Sequence, residues 1–125
     1  MAYLEHANIT VSDPLKTANM FVALFDWKIR WQGPAIYDGF TIHVGTDNSY
    51  LAIYKLLEMP APKADTQRTL IGLNHVGIVV DDLDLVERRV KAMGFSTFAH
   101  EDYDLGRRFY FHGIDELEIE VICYA

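Results

Sequence analysis

Cysteine is nearly absent from this chain, since Cys123 is the only one among 125 residues. A lone cysteine excludes an internal disulfide framework, and no Cys/His cluster has the spacing of a structural zinc site. Long apolar runs are also missing, because no stretch approaches the roughly 18 consecutive apolar residues that a membrane span needs. Basic residues are few: 11 Lys and Arg stand against 18 Asp and Glu, which leaves a net charge of −7. This balance disfavours binding to the phosphate backbone of nucleic acids.

Targeting and nucleotide-binding motifs are absent as well. The segment MAYLEHANITVSD has neither the basic stretch nor the apolar core of a signal peptide. We therefore expect a cytoplasmic protein that binds neither nucleic acid nor a membrane. There is no GxGxxG, Walker-type or GxSxG motif, so nucleotide binding and serine hydrolysis have no support. Half of the residues are apolar and 23% are charged, a composition typical of a packed globular domain.

Two segments of the chain repeat one another at an offset of 69 residues (75 − 6). LEHANITVSD starts at Leu4 and LNHVGIVVDD starts at Leu73, and both have Leu, His, Ile, Val and Asp at matching positions. Apolar residues alternate along each segment, which predicts a strand with one apolar face. His6 and His75 fall on the opposite face of their strands.

A helix is predicted after each of these strands. Ser12-Asp13-Pro14 supplies a capping side-chain acceptor and a proline suited to a first helical turn, and Asp81 and Asp82 offer the same cap in the second half. Gly94 stands where a left-handed C-terminal cap is expected. Apolar residues at helical spacing follow both caps: Leu15, Ala18, Phe21, Val22 and Phe25, then Leu83, Val86, Val90 and Met93.

Three further strands are predicted after each helix. They are Trp27–Trp31, Gly39–Val44 and Tyr50–Leu56, then Phe95–Ala99, Arg107–His112 and Leu117–Tyr124. Each half is therefore a βαβββ module, over residues 1–57 and 70–125, and a polar linker over 58–69 contains Pro60 and Pro62. We expect an α+β fold in which the tandem modules form one domain with a curved eight-stranded mixed sheet. The helices would cover the convex side, and the His-bearing faces would line a concave cup.

This duplication, with a His early in each half and IEV near the C-terminus, resembles the vicinal-oxygen-chelate superfamily. That superfamily includes glyoxalase I, methylmalonyl-CoA epimerases, extradiol ring-cleaving dioxygenases, fosfomycin-resistance transferases and bleomycin-binding proteins. The segments that carry the resemblance are EHANITVSD, NHVGIVVDDLD, GRRFYF and ELEIEV, and it spans Leu4 to Tyr124. It is evidence for a fold more than for one reaction.

The resemblance implies a metal site in the cup. In the superfamily, His residues that match His6 and His75 and the final Glu of the last strand, here Glu120, ligate a divalent ion. Such a set suits Fe(II) or Mn(II), with Zn(II), Ni(II) or Co(II) as alternatives. Alternation along the last strand turns Glu118 and Glu120 away from its apolar face, and a carboxylate in an apolar cup is costly unless it is paired or binds a cation. A solvated strand face is the alternative, which we favour for Glu118.

The type of reaction is less constrained. Relatives such as glyoxalase I use a fourth ligand, whose position falls here on Leu51 or Ala52, and neither can bind a metal. Tyr110 lies ten residues before Glu120 and matches a tyrosine of the extradiol enzymes, while His100 is a loose match to their histidine. We therefore take Tyr110, His100 and Glu120 as the candidate catalytic residues.

These observations favour a metal-dependent enzyme that acts on a small-molecule substrate with vicinal oxygens, with extradiol-type ring cleavage slightly preferred. The alternatives are isomerisation of the lactoylglutathione-lyase type and non-catalytic drug binding of the bleomycin-resistance type. Short edge strands also lead us to expect a homodimer.

Overall fold

The computed structural model describes residues 1–61, 65–103 and 106–124. The chain divides into two compact units, Met1–Pro60 (unit 1) and Ala61–Ala125 (unit 2). Each unit contains one helix of ten or more residues and one four-stranded mixed sheet, in the order strand, helix, three strands. The two predicted βαβββ modules are therefore confirmed, and their eight strands form two four-stranded sheets. Residues 62–64 of the predicted linker lie outside the described residues.

The two units share one topology. Unit 1 consists of β1 (His6–Thr10), α1 (Pro14–Phe25), β2 (Lys28–Ala35), β3 (Gly39–Gly45) and β4 (Tyr50–Lys55). Unit 2 consists of β5 (Val76–Val79), α2 (Leu83–Ala92), β6 (Thr97–Tyr103), β7 (Gly106–His112), a 3-10 turn (Ile114–Glu116) and β8 (Glu118–Tyr124). The strand orders are β1-β4-β3-β2 and β5-β8-β7-β6. In each sheet the first strand runs parallel to the last, and the remaining neighbours are antiparallel.

Both helices begin at the predicted caps. The Asp13 carboxylate accepts a hydrogen bond from the Lys16 backbone N–H at 3.1 Å, and the Asp82 carboxylate accepts one from Leu85 at 3.0 Å. Each cap satisfies a donor that would otherwise lack a partner in the first helical turn. Gly94, which follows the C-cap residue Met93 of α2, has a φ of 90°, a left-handed conformation that glycine adopts without steric cost. No helix in the described ranges is long and apolar enough to cross a membrane.

Each helix packs on one face of its own sheet. The buried residues of α1 are Pro14, Thr17, Ala18, Met20, Phe21 and Leu24, whereas those of α2 are only Leu83, Val86 and Val90. Across the sheets the alternation places Ile42, Val44 and Ile53 in the core of unit 1, and Phe109, Phe111, Ile119 and Val121 in the core of unit 2. The opposite faces of the sheets carry the polar and aromatic side chains described below.

One strand of unit 2 contains a β-bulge. The pairing of β6 with β7 shifts between Phe98 and Glu101, and Ala99 has a left-handed φ of 54°. The bulge adds one residue to the alternation, so Phe98 and Glu101 both face the side away from α2. Strand β6 also extends beyond the predicted end at Ala99 and continues to Tyr103.

Candidate functional site

Three of the predicted residues meet on the face of the unit 2 sheet that is opposite α2. The ring Nε2 of His75 lies 3.1 Å from Oε1 of Glu120, and the Tyr110 hydroxyl donates a hydrogen bond to the same oxygen at 3.0 Å. The β7–β8 register sets Tyr110 directly opposite Glu120, and β5 begins just after His75. The sheet register therefore brings an imidazole, a phenol and a carboxylate to one point.

Both ring nitrogens of His75 face an oxygen. Nδ1 lies 2.7 Å from Oδ1 of Asn74, while Nε2 faces Glu120. A neutral imidazole carries only one N–H, so it can donate to one of these oxygens at a time. If the His75 ring donates from Nδ1, the lone pair of Nε2 points at a carboxylate oxygen of Glu120. Two lone pairs face each other in that case, so the contact requires either a second proton or a cation between them.

The separation of these two donor atoms fits a shared metal ion. Two ligands with metal bonds of about 2.1 Å at a right angle place their donor atoms about 3 Å apart. The 3.1 Å between Nε2 of His75 and Oε1 of Glu120 agrees with that spacing. Within each unit, the described residues contain no group of three or more His, Cys, Asp or Glu arranged to hold a metal ion. His75 and Glu120 are thus the two candidate ligands that unit 2 provides.

Arg108 places positive charge beside these groups. Its Nη1 lies 3.4 Å from the Tyr110 hydroxyl and 3.6 Å from Oε2 of Glu120, and its Nη2 donates to the carboxylate of Glu101. The hydrogen bond to Glu101 raises the pKa of Arg108, so its charge is permanent. Burial, followed by the hydrogen bond to Glu120, raises the pKa of Tyr110, which keeps the phenol protonated at neutral pH.

Glu118 is buried, whereas we expected it to lie on a solvated strand face. Its side chain is only 8% exposed, and its carboxylate accepts a hydrogen bond from Nε2 of Gln67 at 2.7 Å. Nε2 of His112 lies 3.2 Å from its other oxygen, and Nδ1 of His75 lies 3.8 Å from Oε2. The strand alternation correctly predicted that Glu118 lies on the same face as Glu120. It did not predict the burial of Glu118, which involves a contact with Gln67 from the segment before β5.

The corresponding face of unit 1 is aromatic. His6 stacks on Tyr50 with ring centroids 4.8 Å apart, Tyr50 stacks on His43 at 4.5 Å, and Trp31 lies 5.2 Å from His43. Trp31 remains 51% exposed. Burial, followed by the positive charges of His6 and Arg30, lowers the pKa of His43. His6 is therefore part of a ring ladder, and its Nδ1 lies 2.9 Å from Oε1 of the neighbouring Glu5.

His100 does not join the other predicted catalytic residues. Its Nε2 lies 2.6 Å from Oε2 of Glu87 on α2, and its ring stacks on the buried Phe109. The bulge at Ala99 accounts for this position, because the extra residue turns His100 toward the helix side of the sheet. The structure therefore brings His75, Tyr110 and Glu120 together, whereas His100 contacts the other face.

The register also locates the position in unit 1 that matches Glu120. Glu120 pairs with Gly77 on β5 and Tyr110 on β7. In unit 1 the residue with the same two neighbouring strands is Ala52, which pairs with Asn8 and His43. The sequence offset had indicated Ala52 or Leu51, and the strand pairing selects Ala52, whose methyl group cannot ligate a metal.

Some site residues were not identified from the sequence. Gln67 lies in the predicted polar linker and Asn74 lies in the predicted strand segment that starts at Leu73, and neither was identified as a site residue. A partial signal for Glu118 was present, because the alternation of Leu117, Ile119 and Val121 places Glu118 on the face of Glu120. His112 pairs with Glu118 across β7 and β8, and this register was not available before the structure.

The fold is shared with several solved structures. A glyoxylase/bleomycin resistance protein/dioxygenase domain from Frankia sp. EAN1pec superposes with a TM-score of 0.83 at 19% identity, over 100% of this chain and 99% of that one. The E126Q mutant of the fosfomycin resistance protein FosX from Listeria monocytogenes, complexed with Mn(II) and 1S,2S-dihydroxypropylphosphonic acid, superposes with a TM-score of 0.72 at 17% identity, covering 98% and 92% of the two chains. TnmS3, an antibiotic binding protein from Streptomyces sp. CB03234, gives 0.73 at 15% identity, covering 100% and 98%. Likeness at these identities concerns the fold alone.

Sequence comparison identifies the family. No curated protein matches this chain. The family model for the Glyoxalase/Bleomycin resistance protein/Dioxygenase superfamily, however, matches residues 3–121, nearly the whole chain. The solved structures with this fold thus include a fosfomycin resistance protein complexed with Mn(II) and an antibiotic binding protein. With its two βαβββ modules and this match, the chain belongs to the glyoxalase/bleomycin resistance protein/dioxygenase superfamily.

Proposed function

We propose that this protein is a divalent-metal-dependent enzyme that acts on a small substrate with two vicinal oxygen atoms. The observation that carries the proposal is the 3.1 Å pairing of His75 Nε2 with Glu120 Oε1, with the Tyr110 hydroxyl on the same oxygen. An imidazole and a carboxylate are donors that suit Fe(II) and Mn(II), and Zn(II), Ni(II) or Co(II) are alternatives. Similarity of fold to a FosX complex that contains Mn(II) supports the same class of cofactor.

His6 is the third ligand in this proposal. Its support is the sequence repeat, in which His6 and His75 occupy the same position of matching segments. Two imidazoles and one carboxylate would hold the ion, and a bound ion would supply Lewis-acid polarisation of the substrate oxygens.

Tyr110 and Arg108 have distinct roles toward the substrate. Because its raised pKa keeps the Tyr110 phenol protonated, it can transfer its hydrogen bond from Glu120 to a substrate oxygen. Arg108, at 3.4 Å from that hydroxyl, would stabilise negative charge on the same oxygen. The second carboxylate oxygen of Glu120, Oε2, lies 3.6 Å from Nη1 of Arg108, and this carboxylate would act as the base for a substrate proton.

Extradiol-type ring cleavage is the reaction we propose to assay first, since Tyr110 lies beside Glu120. His100 adds no support, because it contacts Glu87 on the other face of the sheet. Isomerisation of the lactoylglutathione type is the alternative, and it would have to proceed without a carboxylate at Ala52, with Glu120 as the base.

A non-catalytic binding protein is the second candidate function. The ladder of Trp31, His43, Tyr50 and His6 favours it, because exposed stacked rings bind planar aromatic molecules by stacking. Similarity of fold to TnmS3, an antibiotic binding protein, is consistent with this alternative. Such a function would not require His75 and Glu120 to hold a metal ion.

The decisive experiment measures metal binding in matched variants. We expect the wild-type protein to bind one Mn(II) per chain by isothermal titration. Glu120→Ala removes a proposed ligand, and we expect the Mn(II) affinity of this variant to fall by more than about 100-fold. That loss exceeds the one typical of replacing a residue that only hydrogen-bonds to a metal ligand. Glu116→Ala is the control, since this carboxylate is 88% exposed. Equal Mn(II) binding by wild type and Glu120→Ala would refute the proposal.

A second experiment separates the candidate functions. Aerobic assays of the Fe(II)-loaded protein with catechols test ring cleavage, and anaerobic assays with hemithioacetals test isomerisation. Tyr110→Phe is expected to retain the metal and to lose about 100-fold in turnover. The binding function would be favoured by three results together: no turnover in either assay, tight binding of a planar aromatic compound by the metal-free protein, and loss of that binding in Trp31→Ala.

We also propose a cytoplasmic homodimer. The edge strands β1 and β5 have only 5 and 4 residues. Proteins protect unpaired sheet edges by keeping the edge strands short or by pairing them with another chain, and both devices are compatible with a dimer. Light scattering during size-exclusion chromatography measures the mass directly, and a 14.3 kDa particle at micromolar concentration would contradict the dimer.

A further inference from the structure

Strand β2 of unit 1 contains a β-bulge that turns two neighbouring side chains to the same face of the sheet. Its pairing with β3 shifts between Ile29 and Trp31, which leaves Arg30 as the extra residue. The Trp31 ring lies 5.2 Å from the ring of His43. The guanidinium carbon of Arg30 lies 4.5 Å from the centroid of the Tyr50 ring. A cation and an indole therefore lie side by side on the aromatic face of unit 1.

The indole of Trp31 is held in place although half of it is exposed. Its atoms Cζ2 and Cη2 are 2.7 and 2.9 Å from the position that a Cβ of Gly33 would occupy, so a side chain there would displace the indole. His43 contacts the same indole from β3. A ring that is already ordered loses little conformational entropy when a second planar ring stacks on it.

Among the described residues of unit 1, Arg30 has no ion-pair partner, and its guanidinium contacts the ring of Tyr50 instead. Glu5 and Asp47 interact with its charge only at longer range. Each of these carboxylates has another partner, because Glu5 accepts a hydrogen bond from the Tyr50 hydroxyl at 3.3 Å and Asp47 accepts one from Lys28. A guanidinium without a carboxylate partner can donate two parallel hydrogen bonds to the carboxylate of a ligand.

We propose that Arg30 and Trp31 form a binding site for a planar aromatic anion, in which the ligand ring stacks on Trp31 and its carboxylate pairs with Arg30. The net charge of the chain is −7 and repels an anion, so binding requires a local cation, which Arg30 supplies. The inference rests on the binding role proposed for the ring ladder and adds the charge of the ligand. It involves no metal ion and is therefore separate from the proposed enzyme activity.

The test compares 2-naphthoate with its uncharged analogue 2-naphthamide by isothermal titration into protein kept free of metal with EDTA. We expect the wild type to bind 2-naphthoate about 10-fold more tightly, a preference typical of hydrogen bonds to charged groups. Arg30→Gln should remove this preference and change the affinity for 2-naphthamide by less than about twofold. Arg88→Gln is the control, because it removes an equal charge from an exposed position of α2 and should keep the preference.

Two further variants test the role of the indole. Trp31→Ala removes the stacking surface and should weaken the binding of both probes by about 10-fold, since stacking does not depend on the charge of the ligand. Gly33→Ala keeps every ring and every charge of the site but displaces the indole. It should therefore also weaken both probes, and to the same extent.

Each of four results would overturn the inference. Equal affinity of the wild type for the two probes would remove the assigned charge while leaving a stacking site. An equal loss of preference in Arg88→Gln and Arg30→Gln would mean that the net charge of the protein causes it. Unchanged binding in Trp31→Ala would exclude the indole, and absence of binding of either probe at millimolar concentration would also refute the binding role of the ladder. None of these results bears on Mn(II) binding at Glu120, which the matched variants above measure separately.

Discussion

The two units have the same strand order and equivalent strand pairing around Ala52 and Glu120, yet the sheet faces opposite their helices have different chemistry. Glu120 in unit 2 pairs with Tyr110, whereas its counterpart Ala52 in unit 1 pairs with His43. Unit 2 thus has a charged, hydrogen-bonded cluster, and unit 1 has stacked rings. The comparison shows that side chains at a few equivalent positions set the chemistry of each face while the strand order stays the same.

The helices differ in the same direction. Helix α1 packs on its sheet through large apolar side chains such as Met20 and Phe21. Helix α2 buries fewer apolar residues, and its Glu87 accepts hydrogen bonds from Thr97 at 2.5 Å and His100 at 2.6 Å on β6. Unit 2 therefore depends on charge at its helix as well as at its site, and unit 1 depends mainly on apolar packing. Four experiments test this contrast.

The largest expected effect concerns the feature that the units share, a fully buried phenylalanine. Phe21→Ala in unit 1 and Phe109→Ala in unit 2 should each lower the free energy of unfolding by about 3–5 kcal/mol, because both rings are 0% exposed. Urea denaturation measures the change, with the 40%-exposed Phe40→Ala as control. A loss below about 1 kcal/mol in only one unit would show that the two cores are not equivalent.

Ala52→Glu tests whether unit 1 tolerates the carboxylate that unit 2 contains. Ala52 is only 3% exposed and has no arginine opposite it in the register, so we expect a loss of about 2–3 kcal/mol at pH 7. Burial raises the pKa of the new carboxyl above its unfolded value, so the loss should shrink as the pH falls through the raised pKa. Ala52→Gln, of equal size and without charge, is the control in the same denaturation series. A pH-independent loss equal in both variants would mean that size alone causes the effect.

Glu87→Gln tests the dependence of α2 on charge. Burial raises the pKa of Glu87, but the hydrogen bonds from Thr97 and His100 outweigh it, and the net shift is a lowering from the usual 4.5. A lowered pKa gives stability above the unfolded value that is lost as the pH falls through the folded value. We expect Glu87→Gln to lower the free energy of unfolding by about 1–2 kcal/mol at pH 7 and to flatten the acid dependence. Denaturation between pH 7 and pH 3 measures both changes, and an acid dependence as steep as that of wild type would contradict the assignment.

Thr17→Val has the smallest expected effect and the opposite sign. The Thr17 hydroxyl is buried under α1, and its oxygen has no hydrogen-bond partner among the described residues. Replacement by a methyl group of similar size removes an unsatisfied polar atom, so the free energy of unfolding should rise by about 1 kcal/mol. Thermal denaturation of Thr17→Val beside Thr17→Ser, which keeps the hydroxyl, measures it. Destabilisation by Thr17→Val would imply that the hydroxyl has a role in unit 1.

The sequence by itself determined the parts of this protein that depend on local interactions. The duplicated strand–helix pattern predicted both modules. The segments Ser12–Pro14 and Asp81–Asp82, together with Gly94, marked helix ends that the structure confirms, with Asp13 and Asp82 as the capping residues. These features could be predicted because a cap bonds to a donor within three residues and periodicity follows from one element at a time. The face on which Glu120 lies also followed from alternation along the last strand, whereas Tyr110 was selected from the resemblance to the extradiol enzymes.

Only the tertiary structure decided which of the polar groups are brought together. A single bulge at Ala99 turned His100 away from Tyr110 and onto Glu87, and a one-residue change in alternation leaves no mark in composition. Glu118 was expected to be solvated, but Gln67, 51 positions earlier in the chain, covers it and supplies a hydrogen bond. Burial and pairing of a charge depend on segments far apart in the sequence, and for that reason they could not be obtained from the pattern of any one strand.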